Sequence, residues 1–547
     1  MFGGEVRTRQ YAQQASAALR VSTRRVPWLN WLQLQPLSIS ADYDWRDQPS
    51  AAAPDLEVAS AGARASVTSS VRVQPRTLFR LLPLYRRLEE SREGQAAPAD
   101  SSGGGFKPLH LVRDLFLGVT AVDDISLTYR GSTSAATGGL DGSAYSLFSA
   151  FSGAAPPLGY RLGLTRQLGA GYRITDDRAF NTFSDLLGTS HDVDARTQLQ
   201  PFRGLSIGLT WRTAWSTSEE VDFEIPGDGS APVPSFGRRS GTGESTVFAF
   251  GGAYERVVER HAGRFDPEAV PNEEGVVVSE FLSPTGFAED FAAELSRGMG
   301  GFGPNDLFTL PLPNWTVTYG GLERLPILRA LANQVSLQHG YSATSETGFA
   351  TLLDPDARRI SLDGLTYAGA AALAAGGYDE PTTVTVNERF QPLIGVTLGL
   401  KGGIQASVTT NRTSLLTLQA LSATVFKRTS EDLRLDLSFS RQGLRLFGLR
   451  GINNQIRFQL TALVASDETV TGLPLQQDVL RFINGEPLAE LSPQQTSRLQ
   501  LSPQLSYTVS SQVTANLIAQ YERTVSEIAG QTDRFTGGVS LRILFSN

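Results

Sequence analysis

Histidine, serine and acidic residues carry most enzyme chemistry, and in this chain their spacing matches no catalytic or metal-binding motif. The four histidines, His110, His191, His261 and His339, are far apart in the sequence. The chain has no cysteine, which excludes disulfides and thiolate metal sites. Neither His-Glu-x-x-His nor Gly-x-Ser-x-Gly occurs. The sequence therefore predicts no enzyme, no cofactor and no metal site.

One His-Asp pair and one Asp-Asp pair are the nearest approach to a chemical site. His191-Asp192 could join a serine in an esterase-like trio, but nothing nearby supplies the nucleophile's usual context. Asp123-Asp124 is better interpreted as part of a turn than as metal ligands. Asp436 alternates with leucines, so we expect it on the polar side of a strand together with Arg434 and Ser438.

The elements that would position these residues are strands, because apolar and polar residues alternate from end to end of the chain. Side chains in a strand point to opposite sides in turn, so a period of two predicts an antiparallel β protein. The segments with this pattern are 37–45, 63–73, 125–130, 205–215, 394–400, 404–410, 433–439, 456–464, 499–509 and 513–521.

The final strand carries the same alternation and ends on an aromatic residue. Val539, Leu541, Ile543 and Phe545 fall on one side of it. A terminal strand of this kind closes many bacterial outer-membrane barrels, and it is equally compatible with a soluble β-sandwich. Length separates the two interpretations: several segments reach about 9–11 residues, which a tilted strand needs to cross a bilayer, whereas soluble strands average about 5–6.

The composition agrees with a membrane barrel and excludes some other classes of protein. No run of about 18 apolar residues occurs, so the sequence predicts no transmembrane helix. Aromatic residues near strand ends, such as Tyr43, Trp45, Trp211 and Trp215, are typical of interfacial girdles. The net charge of −7 gives no basic surface for nucleic acid. The first ten residues lack the apolar core of a signal peptide, so we expect the chain to be part of a longer protein.

Long polar connections separate the strand-rich blocks. We expect them at 89–107, 131–145, 216–245, 255–310 and 466–496. Within the 255–310 insertion, the spacing of apolar residues predicts a short helix at about 285–297. Residues 77–90 could form a second, interfacial helix or a loop packed on the rim. By contrast, Lys401-Gly402-Gly403 predicts a tight hairpin turn.

Three segments resemble a known family. Residues 310–326 contain Pro-Asn-Trp followed by Tyr-Gly-Gly-Leu, residues 335–344 contain His-Gly-Tyr, and residues 386–396 read Val-Asn-Glu-Arg-Phe-Gln-Pro-Leu-Ile-Gly-Val. In this order they are similar to the C-terminal part of the SprA/Sov family, the large outer-membrane translocon proteins of type IX secretion, associated with gliding motility. Residues 433–439 and the last strand fit the same pattern, and 122–129 and 159–163 fit it more loosely.

The resemblance implies a fold and a function. The whole chain, 1–547, would be the C-terminal part of a giant all-β, antiparallel transmembrane β-barrel in the bacterial outer membrane. It would contribute about 16–20 strands, with long loops and one or two short helices. Its function would be to let secreted proteins pass through a polar lumen. The alternatives from other classes are a passive porin or ligand-gated receptor barrel, and a soluble all-β surface adhesin.

The implied partners are the secreted cargo proteins, outer-membrane lipids, a shuttle barrel, a periplasmic plug protein, and the missing N-terminal part of the same barrel. The motif residues are candidates for a gate, a lumen lining or a partner contact, and an equally simple interpretation is a rigid segment packed on the wall. These candidates are Pro313, Asn314, Trp315, Tyr319, Gly321, Leu322, His339, Gly340, Tyr341, Asn387, Glu388, Arg389 and Phe390. Val539, Leu541, Ile543 and Phe545 are the predicted barrel-closing strand.

Overall fold

The computed structural model of the 547-residue chain is a single antiparallel β-sheet of 17 strands. The structure describes residues 10–20, 30–47, 56–80, 122, 124–142, 156–165, 168, 170–176, 182–201, 204–247, 258–259, 313–353, 381–419, 424–442, 455–474, 481, 486, 494–508 and 513–543. Within these residues no helix is long and apolar enough to cross a membrane.

The strands follow one another along the chain with few helical interruptions. Their bounds are β1 Gln10–Leu19, β2 Leu32–Leu34, β3 Leu37–Asp47, β4 Val58–Val73, β5 Ile125–Asp141, β6 Thr182–Leu199, β7 Leu205–Glu224, β8 Val233–Thr246, β9 Asn314–Gly320, β10 Ala332–Leu353, β11 Pro381–Leu400, β12 Ile404–Gln419, β13 Thr424–Gln442, β14 Gln455–Pro474, β15 Gln494–Thr508, β16 Val513–Ser526 and β17 Gly530–Ile543. The short helices are α1 Pro75–Phe79, α2 Leu158–Arg161 and α3 Pro326–Leu331, with 3₁₀ turns at Ala170–Tyr172 and Leu322–Arg324.

Neighbours in the sheet are mostly neighbours in the chain. Two positions hold two strands end to end: β2 and β3 both pair with β4, and β8 and β9 both lie between β7 and β10. The 17 strands therefore occupy 17 − 2 = 15 positions. In the described residues β1 pairs only with β3, and β17 only with β16, so these two strands form the edges.

This architecture confirms the predicted all-β antiparallel fold of the transmembrane β-barrel class. The 17 strands fall within the predicted number. The longest, β10, has 22 residues, and β7, β11 and β14 each have 20. These lengths exceed the roughly 9–11 residues that a strand needs to cross a bilayer.

The sheet has one apolar face and one polar face, because the pairing keeps the alternation of each strand in phase with the next. Leu433 of β13 lies opposite Val464 of β14, which lies opposite Leu499 of β15. Directly opposed residues share a face in an antiparallel pair. The same holds for the other strand pairs from β1 to β17. As predicted, nearly all apolar residues of the alternating segments lie on this one face of the sheet.

On the strands near the β17 edge, the apolar side chains form a band about nine residues tall. On β14 to β17 it comprises 456–464, 499–507, 513–521 and 535–543. Many of its large side chains are exposed, including Val464, Leu517 and Val539. Beyond the band, Arg523 of β16 pairs with Asp533 of β17 on the same face at 2.8 Å. The height of this apolar band equals that of a membrane-spanning strand.

At the opposite end of the strands the apolar face is buried. Tyr43 and Trp45 of β3 are 2 % and 3 % exposed, and they pack with alanines of β4 and with Tyr160 of α2. Tyr160 donates to the carbonyl oxygen of Ala61 at 3.2 Å. The expectation that Tyr43 and Trp45 belong to an exposed interfacial girdle is therefore wrong, because the β5–β6 connection covers them.

Each end of the sheet carries both short and long connections. Residues 200–204, 401–403 and 509–512 join strands at what we term the turn end, where the apolar band lies. Gly402 and Gly403 have φ of 91° and 83°, which confirms the predicted tight turn. Long connections such as 142–181, 354–380 and 475–493 join strands at the loop end. The turn end also carries the long β4–β5 connection, 74–124, and the loop end also carries the short turns 420–423 and 527–529, so connection length alone does not distinguish the two ends.

Two predicted loops are largely strand, and a third is strand at its two ends. Residues 131–141 belong to β5, 216–224 and 233–245 belong to β7 and β8, and 466–474 belong to β14. They were misjudged because they are rich in Ser, Thr, Gly and charged residues, which the polar face and the loop end accommodate without an apolar partner. The predicted helix at 285–297, most of the 255–310 insertion, and residues 81–90 lie outside the described residues; α1 covers only the start of 77–90.

We expect cysteines introduced at neighbouring positions of β7 to report opposite environments. Leu209→Cys lies on the apolar face and should react with a lipid-soluble maleimide, whereas Thr210→Cys lies on the polar face and should react with a charged, water-soluble one. The chain has no native cysteine, so each label reports a single site. Equal labelling of both positions by both reagents would contradict the two-faced sheet.

We expect the sheet edges to prevent this chain from closing alone. In the described residues β1 pairs only with β3 and β17 only with β16, and unpaired strand edges are not tolerated in lipid. The chain expressed by itself should therefore give no heat-modifiable monomer on a detergent gel. A monodisperse monomer that changes mobility only on boiling would show that β1 and β17 close on each other.

Candidate functional site

The family-motif residues converge on one part of the sheet, where β8 ends and β9 begins. β7 pairs with β8 through residues 213–224 and with β9 through residues 205–210. β10 does the same on the other side: residues 344–353 pair with β8 and residues 336–341 with β9. The chain thus leaves the sheet after Val247 and returns to the same strand position at Asn314. We call this junction the seam.

Asn314 closes the seam with its side chain. Ala343 of β10 is 1 % exposed and lies opposite the junction, where neither strand offers a complete ladder. Its carbonyl oxygen accepts from the Val247 N–H at 3.0 Å, and its own N–H donates to Asn314 Oδ1 at 2.9 Å. A buried backbone N–H needs a partner. The amide oxygen of Asn314 therefore replaces the hydrogen bond that a continuous strand would have made.

An aromatic cluster lies beside the seam on the apolar face. The rings of Trp315 and Tyr341 are stacked with centroids 4.4 Å apart, and Tyr341 contacts Phe390 at 4.9 Å. His339 lies 6.3 Å from Trp315 and 6.2 Å from Phe390. The cluster joins β9, β10 and β11. Phe390 lies opposite Arg412 of β12, so the cluster sits at the loop-side boundary of the apolar band.

A carboxylate is buried against this cluster. Glu388 is 5 % exposed and accepts a hydrogen bond from the Tyr341 hydroxyl at 3.0 Å. Tyr341 is itself 2 % exposed, so this bond is shielded from water. Hydrogen bonds to charged groups contribute about 1.5–3 kcal/mol, which makes Tyr341 a firm connection between β10 and β11.

His339 and Gly340 fit an irregular stretch of β11. Residues 391–393 have no partner in the described ladders, and the register shifts there. His339 donates from Nδ1 to the carbonyl oxygen of Leu393 at 2.7 Å. A Cβ on Gly340 would lie 2.5 Å from the carbonyl oxygen of Gln391, so no other residue fits at this position without a shift of the backbone. The His-Gly-Tyr motif thus shapes one tight contact between two strands.

The rest of the 310–345 segment forms the β9–β10 connection at the turn end. Gly321 has φ of 112° and precedes the 3₁₀ turn that starts at Leu322. The Glu323 carboxylate accepts from the Val335 N–H at 3.2 Å. Backbone N–H groups of Glu323 itself and of Val335 hold the pKa of this carboxyl below its ordinary value. These contacts agree with the interpretation of a pinned segment on the wall.

Apolar side chains of this connection are nonetheless exposed. Ile327 is 79 % exposed, and Leu325 and Leu331 are 51 % and 61 % exposed. The sequence also predicts that the apolar residues of this segment, Trp315, Leu322, Leu325, Ile327 and Leu328, are buried; this is wrong for Leu325 and Ile327. Trp315 and Tyr319 lie in the wall strand β9 itself.

The remaining predicted residues take separate positions. Pro313 precedes β9 directly, while Asn387 and Arg389 point to the polar face of β11, where the Arg389 Nε donates to Asn387 Oδ1 at 3.1 Å. In the predicted closing strand, Val539, Leu541 and Ile543 share the apolar face of β17. Phe545 lies outside the described residues.

A groove of about 750 Å³ crosses the polar face directly behind the aromatic cluster. It runs across the strands from β4 to β10. Sequence analysis did not identify most of its lining residues, because only the register reveals which polar residues of separate strands lie side by side. The lining residues are Arg72, Asp124, Ser126, Arg196, Thr197, Gln198, Gly208, Leu209, Thr210, Asn314, Trp315, Thr316, Tyr341 and Ser342.

The polar face also carries paired charges. Arg130 bridges Asp192 and Asp194 at 3.1 and 2.7 Å, and Arg212 reaches Asp192 at 3.0 Å. On β13, Arg434 pairs with Asp436 at 2.7 Å, and Thr461 donates to the same carboxylate. The prediction that Arg434 and Asp436 lie on the polar side is confirmed.

His191 and Asp192 point to opposite faces of β6. The His191 ring contacts Trp215 on the apolar face at 4.9 Å and bonds the Tyr129 hydroxyl at 2.8 Å, whereas Asp192 belongs to the ion pairs of the polar face. The two side chains therefore do not meet in a catalytic arrangement. Among the described residues no group of three or more His, Asp and Glu side chains is placed to hold a metal ion.

Comparison with known proteins adds little to this geometry. No family model and no curated protein matches the chain. It is similar to the β domain of the Bordetella autotransporter BrkA with 10 % identity and a TM-score of 0.19, covering 68 % of this chain and 94 % of that one. It is also similar to BauA, the ferric preacinetobactin receptor from Acinetobacter baumannii, with 6 % identity and a TM-score of 0.28, covering 98 % and 71 %. Likenesses at these scores carry no argument about fold or function.

We expect Asn314→Ala to destabilise the seam. The substitution leaves the buried Ala343 N–H without this acceptor, which costs about 1–3 kcal/mol. Asn314→Asp is the matched control, because it keeps an oxygen at the same place. Urea unfolding of the detergent-solubilised protein measures both. Equal loss in the two variants would show that the acceptor oxygen is not what matters.

We expect Trp315→Ala to weaken the wall more than truncation of its neighbour. The variant loses the stacked contact with Tyr341 and about 3 kcal/mol, the low end for removal of a large aromatic side chain, since Trp315 is half-buried. Val317→Ala, on the same face of β9, should cost about 1–2 kcal/mol, and Trp315→Phe should retain most of the stability. The unfolding midpoint in detergent tests this order. If Trp315→Ala proves as stable as Val317→Ala, the cluster has no structural role.

Proposed function

We propose that this chain is a segment of the wall of an outer-membrane β-barrel through which proteins are exported, the translocon of type IX secretion linked to gliding motility. The observation that carries the membrane part is the apolar band. Its side chains are exposed although they are large and apolar, and such a surface in water would cause aggregation. Lipid is the environment in which a continuous exposed band of this height is stable.

The distribution of charged residues also supports an apolar face toward lipid and a polar face toward water. On the apolar face, ion pairs such as Arg412–Glu431 and Arg523–Asp533 lie on the loop side of the band, where a strand would leave the hydrocarbon. Charged residues inside the bilayer on the lipid side cost about 2–4 kcal/mol each at the midplane. The polar face carries charges over its whole height. It therefore suits a water-filled lumen.

The protein-conducting function is supported by the family resemblance together with its convergence in space. The three motif segments come from 310–326, 335–344 and 386–396, and they meet at the seam and the aromatic cluster. Under this proposal the partners are secreted cargo proteins, outer-membrane lipids, a shuttle barrel, a periplasmic plug protein and the N-terminal part of the same barrel.

The sheet edges support the proposal that this chain is one part of a larger barrel. β1 and β17 lack a second partner in the described residues, and a lipid-facing barrel has no open edge. Additional strands that pair with both edges would complete the wall. A wall of more than these 15 positions encloses a wide lumen, since barrel diameter grows with strand number. Folded cargo needs such a width.

Deletion and complementation in the native host test the secretion function. Loss of the chain should abolish secretion of proteins and gliding, and the intact gene should restore both. The matched variants are Trp315→Ala and Val317→Ala, of which only the first should impair secretion when both accumulate in the outer membrane. Normal secretion in the deletion strain would overturn the proposal. Vesicle conductance for small solutes with normal secretion would favour a porin, and no conductance with surface binding would favour an adhesin.

A further inference from the structure

We propose that the groove on the polar face binds an extended polypeptide segment by its carboxylate groups, with Arg196 and Arg72 as the recognising cations. The inference rests on the proposed function, since it names what the lumen-facing site takes hold of during passage. It is carried by four features of the described residues: the position of the groove, its length, its charge and its hydrogen-bonding floor.

The groove crosses the strands in two rows fixed by the register. In the first row Arg72 lies opposite Ser126, Ser126 opposite Arg196, Arg196 opposite Thr210, and Thr210 opposite Asn314. All of these residues are on the polar face. The second row runs through Gln198, Gly208 and Thr316. Two parallel rows of polar side chains thus define a straight channel over the surface.

The length of the groove fits a short extended peptide. It spans the six strands β4, β5, β6, β7, β9 and β10. Five inter-strand spacings of about 4.8 Å give roughly 24 Å. A fully extended chain covers about 3.3–3.6 Å per residue, so about seven residues fill the groove. A small anion would occupy only one end of it.

The charge of the groove favours an acidic ligand. Of its 14 lining residues three are charged, Arg72, Arg196 and Asp124, which gives 2 − 1 = +1. Arg72 approaches Asp124 only at 3.8 Å, and in the described residues Arg196 has no ion-pair partner. By contrast, Arg130 and Arg212, further toward the loop end on the same face, are satisfied by carboxylates. The guanidinium groups of the groove therefore present donors that a bidentate carboxylate matches.

The floor suits a peptide backbone. The hydroxyls of Ser126, Thr210, Thr316 and Ser342 line it and can both donate and accept hydrogen bonds. Hydrogen bonds from these hydroxyls to a peptide backbone are reversible and do not depend on the peptide's side chains, as a transient contact requires. Recognition then depends on the carboxylates at the β4–β6 end and on backbone hydrogen bonds along the rest.

Fluorescence anisotropy with the protein extracted from its native membrane tests the proposal. The probe is a labelled seven-residue peptide with two Asp residues, and its control is the same peptide with Asn in their place. We expect Arg196→Gln to weaken binding of the acidic peptide about three- to fivefold, the upper part of the range for an exposed charge pair, and the Arg72→Gln/Arg196→Gln double variant to weaken it further. Arg457→Gln is the matched control, because Arg457 is an exposed arginine on the polar face of β14, outside the groove.

Three outcomes would overturn the proposal. Equal binding of the acidic and amide peptides would remove the role of carboxylates. Equal weakening by Arg196→Gln and Arg457→Gln would reduce the effect to general electrostatics. Displacement of the peptide by inorganic phosphate or by phosphatidylglycerol micelles at lower concentration than by unlabelled peptide would assign the groove to phosphate or lipid headgroups. Secretion assayed separately in the deletion strain distinguishes failure of this site from failure of the proposed function.

Discussion

Register is the constraint on which the whole molecule depends. Side chains alternate with a period of two, so a slip of one residue in any pairing would move a complete set of leucines and valines to the wrong face. The pairings avoid this over 15 strand positions, even where the chain is interrupted by a long excursion between Val247 and Asn314. The separation of an apolar band from a charged polar face follows directly from that register.

A shift of strand register is easiest at the seam, and the motif residues are concentrated there. Two strands must meet end to end and both must keep phase with β7 and β10. Asn314 supplies a hydrogen bond to Ala343, Gly340 allows a close backbone contact, and the Trp315, Tyr341 and Phe390 rings lock three strands together. These residues have structural roles, and the same arrangement shapes the groove behind them on the polar face.

The fold was largely predictable from sequence, because alternation is a local property that each segment displays by itself. Segments such as 205–215 and 456–464 lie within strands as predicted. Residues 131–141 were missed because Ser, Thr and Gly in a strand resemble a loop when their partners are unknown. The separation of His191 from Asp192 follows from alternation once a strand is assigned there.

The site could be predicted only in part, since it depends on contacts between distant segments. The motif resemblance identified Trp315, Tyr341 and Glu388 without their arrangement. The partnership of Asn314 with Ala343 depends on an end-to-end junction that no local pattern encodes. Arg72 and Arg196 are 124 positions apart in the sequence and become neighbours only through β5. The aromatic residues Tyr43 and Trp45 look interfacial in sequence and are buried by a connection that sequence periodicity does not place.

Cross-linking between β9 and β10 tests the two-faced register most directly. Thr318 of β9 lies opposite Gln338 of β10, whereas Leu337 points to the other face. In the cysteine-free chain, the pair Thr318→Cys and Gln338→Cys should be joined by a short bifunctional thiol reagent in intact outer membranes. The account predicts that the pair Thr318→Cys and Leu337→Cys forms little cross-link under the same conditions. Efficient joining of the second pair in preference to the first would mean that the strand is shifted by one residue, and the assignment of the two faces would be wrong.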